Sequence, residues 1–161
     1  LMNMRVVLVT GAASGIGAAC ARRLAAPGVA VLVHTRKNAE GAERVAAAVR
    51  ERGGEATVML GDIADPALPA ALVERAVETF GGLDVVVSAA GFADRTPFSR
   101  LEDATLTRSL DGMSWAFLRL ARAAPPRLIG RPAPRVVAIS SFVAHVFRAD
   151  LATFPASAAA K

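Results

Sequence analysis

The apolar run Val6-Val7-Leu8-Val9 passes directly into Thr10-Gly11-Ala12-Ala13-Ser14-Gly15-Ile16-Gly17, and no other segment restricts the fold as strongly. A run of branched apolar residues suits a strand buried on both faces, the kind found in parallel sheets covered by helices. The strand ends at Thr10, the chain turns sharply, and a helix starts near Gly15. Gly11 permits the tight bend, while Gly15 and Gly17 remove side chains where backbone must approach a ligand and where the helix must lie close on the strand. The unpaired N–H groups and positive dipole end of that helix face the turn, which suits a pyrophosphate. An ordinary strand-to-helix turn rich in small residues is the plainer alternative.

The rest of the chain repeats the alternation. Strands are expected at Arg5 to Thr10, Val29 to His34, Glu55 to Leu60, Leu83 to Ala89 and Arg135 to Ser140, with helices between them. Leu72, Val73, Ala76, Val77 and Phe80 recur at helical spacing and stop at Gly81-Gly82, which predicts a crossover helix. Leu106, Leu110, Met113, Phe117 and Leu120 form a second stripe that ends in the breaker-rich stretch Pro125 to Pro134. Alternating β and α units with strands too apolar to face water give an α/β class: a doubly wound parallel sheet of the Rossmann type with right-handed crossovers.

Composition excludes several functions. The chain has 161 residues, 53% of them hydrophobic and 20% charged, as in one globular domain with a core. No apolar run approaches a membrane span and no secretory leader pattern is present, so a cytoplasmic protein without a membrane partner is expected. Cys20 is the only cysteine, which rules out a disulfide framework within the chain, and no metal site is expected. The net charge of +5 invites a nucleic-acid reading. The basic residues are scattered and aromatics are few, so no nucleic-acid partner is expected.

Thr10 to Gly17 matches T-G-x-x-x-G-[IL]-G at every fixed position, and on this the chain resembles the short-chain dehydrogenase/reductase family. The resemblance implies strand order 3-2-1-4-5 and makes Gly11, Ser14, Gly15, Ile16 and Gly17 cofactor-binding. After the second strand comes His34-Thr35-Arg36-Lys37 with no carboxylate. An acidic residue there would bond the 2′-hydroxyl of NAD, whereas Thr35 and Arg36 offer a hydroxyl and a guanidinium fork, so NADP(H) is favoured over NAD(H). Solvated loop charges are the competing account of Arg36 and Lys37. Asp62 and Ile63 match the family's residues around the adenine ring, with a simple turn or cap role for Asp62 as the alternative. Ser88-Ala89-Ala90-Gly91 stands where the family has N-N-A-G, which keeps small residues at the cofactor but loses both asparagines.

The family reduces carbonyls with a serine on the carbonyl oxygen, a tyrosine proton donor, a lysine four residues later and an asparagine in the long helix. This chain contains no tyrosine. Ser141, at the end of Arg135 to Ser141, matches the serine. Counting 13 residues on from Ser141 reaches Phe154, whereas counting four back from Lys161 reaches Ser157. The candidate catalytic set is therefore Ser141, Ser157 and Lys161, with Lys161 also a ribose ligand. Gly112 falls where the asparagine is expected, and His145 is a weak alternative acid beside its plainer role as a loop residue. The resemblance also implies a further helix, two strands and a substrate loop beyond Lys161. The chain then reads as a single dinucleotide-binding domain over 1–161 lacking those C-terminal parts. Two functions follow: hydride transfer between nicotinamide and a small carbonyl or alcohol substrate, or a non-catalytic NADP-binding sensor or assembly protein. The family's habit of pairing through the long helix that holds Trp115 and the helix that begins near Lys161 makes a homo-oligomer the expected state.

Overall fold

In the computed structural model, which describes residues 4–146, 148, 150 and 152–161, strands β1 (Arg5–Thr10), β2 (Val29–Thr35), β3 (Glu55–Leu60), β4 (Val85–Ser88) and β5 (Arg135–Ala138) form one sheet. Its order is β3-β2-β1-β4-β5 and every pairing is parallel. The order reverses between β1 and β4, which opens a crevice at their carboxyl ends. Fold and order are those the sequence predicts.

Side chains alternate across the sheet and so serve two cores. Val6, Leu8, Ala30, Leu32 and Val86 face helices α3 (Leu68–Phe80) and α5 (Ala116–Ala123). Val7, Val9, Val31, Val33 and Val87 face helices α1 (Gly15–Leu24) and α2 (Ala39–Glu51). Cys20 packs half-buried against this second core. Helix α3 ends at Gly81 in the left-handed conformation, φ +80°, where its N–H caps the Val77 carbonyl.

Two expectations need correction. β4 and β5 are shorter than their apolar runs. Leu83 and Asp84 precede β4, although Asp84 N–H still reaches the Val6 carbonyl, and β5 leaves its ladder at Ala138. The second stripe is also interrupted. Helix α4 (Asp103–Leu110) runs into a π turn (Asp111–Trp115) before α5, and a π turn changes the facing of residues on either side. Met113 and Leu120 are buried as the stripe predicts, but the face is completed by Ser109, Gly112, Ala116 and Ala124, with Leu106, Leu110 and Phe117 only half-buried. The short helix α6 (Pro125–Leu128) then leads into the breaker-rich stretch.

At the amino end of the sheet Asp84 is 1% exposed and heavily bonded. Its Oδ2 accepts from Val6 N–H at 2.7 Å, while Arg131 donates to both carboxylate oxygens at 2.8 Å and to the Met4 carbonyl at 3.2 Å. Burial opposes the charge, but Arg131 and the Val6 N–H outweigh it and hold the carboxyl below the usual aspartate range. This tie joins β1, the start of β4 and the loop before β5 at one point.

Candidate active site

A cleft of about 1040 Å³ lies along the carboxyl ends of the strands. Its floor is the glycine turn. Gly11 has φ +64°, and a Cβ there would stand 2.6 Å from Ala90 Cα. The turn therefore lies directly against the loop after β4, and only a bare α-carbon fits. Gly17 is equally constrained, since a Cβ would run into the Gly11 carbonyl. Gly15, φ +55°, faces open space and is needed for its backbone conformation alone. Ser14 caps α1 with an extended backbone but places no side-chain hydrogen bond on the first N–H groups. These donors stay available to an anion. A crowded glycine floor and a helix start without a side-chain cap bond fit the diphosphate of a dinucleotide.

Thr10 does something the motif alone does not reveal. Its Oγ1 accepts from both Ala89 and Ala90 N–H at 3.1 Å, so one hydroxyl holds the loop after β4 against the turn. With both family asparagines missing there, this bridge supplies local rigidity.

At the far end of the cleft stand Thr35, Arg36, Asp62 and Ile63. Arg36 Nη1 lies 3.9 Å from Asp62 Oδ2, with both side chains more than half exposed. Asp62 Oδ1 also accepts from Ala64 N–H at 3.0 Å, so it shapes the turn as well as lining the cleft. Ile63 is buried and belongs to the α3-side core. His34 is 1% exposed, its Nε2 donating to the Gly61 carbonyl at 3.0 Å while Nδ1 has no partner. Burial, against the weaker pull of Gly61 and Asp62, keeps this imidazole below its ordinary pKa.

The opposite end gathers Gly91, Phe92, Gly112, Ser141, Phe154, Ser157 and Lys161. Helix α7 (Pro155–Ala160) turns Ser157 and the following Lys161 toward the cleft, with Phe154 at its N-cap. The two countings from the sequence thus meet on one wall. Ser157 is 3% exposed and its Oγ accepts from Asp94 N–H at 2.7 Å. Ser141 caps a 3-10 turn (Phe142–Ala144) in extended conformation, with no side-chain hydrogen bond to that turn. Its neighbour Ser140 donates to the Lys161 carbonyl at 2.9 Å and lies 3.3 Å from His145 Nε2. His145 is exposed and does not line the cleft. A Cβ at Gly112 would meet the Phe92 ring at 3.1 Å, so an aromatic ring stands beside the position matched to the family's asparagine.

Phe92, Asp94 and Arg108 are cleft residues that sequence reasoning missed. Arg108 donates to Asp94 Oδ2 at 2.9 Å and lies over the Phe92 ring, 5.9 Å from its centroid. Nothing in the spacing of these residues signals that they meet. Among the described residues no group of three His, Cys, Asp or Glu side chains is placed to hold a metal, and no helix is long and apolar enough to cross a membrane.

A doubly wound sheet with a glycine turn at its switch point defines a dinucleotide-binding class of protein. Comparison with known proteins narrows this. The family model described as short chain dehydrogenase matches residues 5–161, and the chain belongs to that family. It is 37% identical over 156 residues to a cis-4-hydroxycyclohexanecarboxylate dehydrogenase of Sinomonas cyclohexanicum, covering 96% of this chain and 62% of that protein. It is 32% identical over 133 residues to a 3beta-hydroxysteroid dehydrogenase of Eggerthella lenta, covering 83% of this chain and 51% of that protein. A short chain dehydrogenase from Burkholderia cenocepacia, solved in complex with NADP, superposes with a TM-score of 0.90 at 33% identity over 100% of this chain and 64% of its own. The chain therefore spans about three fifths of the length of such relatives.

Proposed function

We propose that this chain is the nucleotide-binding and carbonyl-holding part of an NADP(H)-dependent oxidoreductase that interconverts a small carbonyl compound and its alcohol. The observation that carries the reading is the glycine turn, packed so tightly on the loop after β4 that no side chain fits at Gly11. In this reading Gly11, Ser14, Gly15, Ile16 and Gly17 hold the diphosphate, and Asp62 and Ile63 flank the adenine. Ala89, Ala90 and Gly91 form the wall beside the nicotinamide. When bound, the nicotinamide supplies or accepts hydride. Ser141 orients the carbonyl by donating its hydroxyl to the oxygen, and Lys161 binds the ribose. Ser157, held by Asp94 N–H, positions α7.

Thr35 and Arg36 support NADP(H) over NAD(H). The guanidinium is only loosely paired with Asp62, so its donors are available to a 2′-phosphate. An apolar hollow of about 270 Å³ adjoins the cleft, lined by Phe98, Phe142, Val146 and Phe154 among others. It suits a ring-sized apolar substrate, in keeping with the cyclic alcohols in the names of two relatives. Trp115 and Leu118, 45% and 37% exposed, suit the expected homo-oligomer, and the same reading carries a cytoplasmic location.

The test is NADPH titration by fluorescence, followed by assay on alicyclic ketones and alcohols. Arg36→Ser is expected to lower the NADPH over NADH preference about tenfold, and Ser141→Ala to lower kcat about 10²-fold or more. The missing tyrosine favours a second reading, a dinucleotide sensor or assembly protein. Tight NADPH binding with no turnover on any substrate would establish it.

A further inference from the structure

Within the oxidoreductase reading, the carbonyl oxygen gains charge during reduction and must receive a proton, yet the usual phenol is absent. Phe154 has no proton to give, and Ser157, whose Oγ accepts from Asp94 N–H, carries a hydroxyl too weakly acidic to replace a phenol. The ionisable side chains lining the cleft are His34, Arg36, Asp62, Asp94, Arg108 and Lys161. The first three stand at the carboxyl ends of β2 and β3, at the adenosine end. Asp94 and Arg108 hold each other at 2.9 Å, and an arginine does not release its proton.

Lys161 remains. A Cβ on Gly91 would stand 2.6 Å from Lys161 Nζ, so the ammonium rests against the loop after β4. Ser140, the neighbour of Ser141, fixes its backbone carbonyl. Lys161 takes part in none of the ion pairs found among the described residues. We propose that Lys161 Nζ gives its proton directly to the carbonyl oxygen during reduction and takes the hydroxyl proton during alcohol oxidation.

The balance is simple. Hydride from a reduced nicotinamide dinucleotide bonds to the carbonyl carbon, the C=O π pair moves onto oxygen, and that pair takes a proton from Nζ. The products are the alcohol, the oxidised dinucleotide and a neutral amine, which water reprotonates. Burial holds this ammonium below the ordinary lysine range, which eases release of its proton. The charged and titratable groups on the elements around α7 are the mutually paired Asp94 and Arg108, Asp103 at the start of α4, Asp111 in the π turn, and His145 after the 3-10 turn, 3.3 Å from Ser140 Oγ. This assignment rests on the oxidoreductase reading, but its test can separate the two.

The full protein, Lys161→Arg and Lys161→Met are compared by three measurements. The first is the pH dependence of lysine acylation by mass spectrometry, with exposed Lys37 as internal reference. The others are NADPH affinity and the pH profile of turnover in each direction. Lys161 is expected to titrate below Lys37, with reduction falling and oxidation rising as pH passes through that titration. Arginine keeps the charge but not the transferable proton, so Lys161→Arg should hold NADPH within about threefold while kcat falls by about 10²- to 10⁴-fold. Lys161→Met should lose both. Titration of Lys161 with or above Lys37, or Lys161→Arg turnover within tenfold of the parent, overturns the proton role and leaves the oxidoreductase reading standing. NADPH binding without turnover by the parent removes both.

Discussion

The half of the sheet that carries the glycine turn and the half that carries Ser141 and Lys161 are built to different standards. In the first, Val6, Leu8, Val9, Val31, Leu32 and Val33 are fully buried, and the turn keeps every small residue that its geometry requires. In the second, all of β5 is exposed, with Val136 and Val137 at 39% and 41%, and α7 has six residues. The difference follows from what each task asks of a sequence. Holding a diphosphate needs backbone N–H groups and the absence of side chains, which a small buried framework supplies. Moving a proton needs particular side chains at particular atoms, and here those atoms have changed.

The largest test cuts the tie that serves both halves. Asp84→Asn leaves Arg131 facing a neutral amide and should cost about 3–5 kcal/mol of stability, read by urea denaturation. Gly11→Ala attacks only the nucleotide half. The left-handed backbone and the crowding against Ala90 should cost roughly 2–3 kcal/mol, near 100-fold in NADPH affinity by fluorescence titration. If affinity holds, the turn is not what distinguishes the halves. Thr10→Val removes a hydroxyl that links them and strands two N–H groups, for a loss of about 1–3 kcal/mol. Faster amide exchange at Ala89 and Ala90 should accompany it.

The mildest test is pH. His34 binds a proton less readily folded than unfolded, so its contribution is complete above about pH 6.5 and is lost as pH falls through its lowered folded value. Asp84 behaves alike at lower pH, its contribution being complete above about pH 4 and lost as pH falls through its depressed folded value. Amide protection in β2, taken relative to the intrinsic exchange rate at each pH, should therefore fall on acidification before that at the start of β4. The reverse order would contradict the burial of His34 or the strength of the Asp84 tie.

Local pattern made most of the fold legible. Runs such as Val6 to Val9 declare buried strands, and Gly81 declares a helix end, because each depends on neighbours in sequence. The glycine turn was readable for the same reason. The contacts of the other half were not, since Ser157 with Asp94, and Arg108 with Phe92, bring together residues from separate elements. Likewise, two countings left Phe154 and Ser157 as rivals for one role, and only folding places both on one wall with Lys161. The interrupted stripe departs from its pattern for a different reason. A constant helical period does not hold across residues 111–115, where the chain takes a π turn.

That wide turn is also a built-in slack. Removing one residue from Asp111–Trp115 would let the segment close into a regular helix with both flanks near their present facing. Arg108 would keep the Phe92 ring and Asp94, and α5 its seat on the sheet. A single-codon deletion there would thus spare the wall of the cleft, whereas the same deletion inside α5 would swing Arg108 by roughly 100° about the axis.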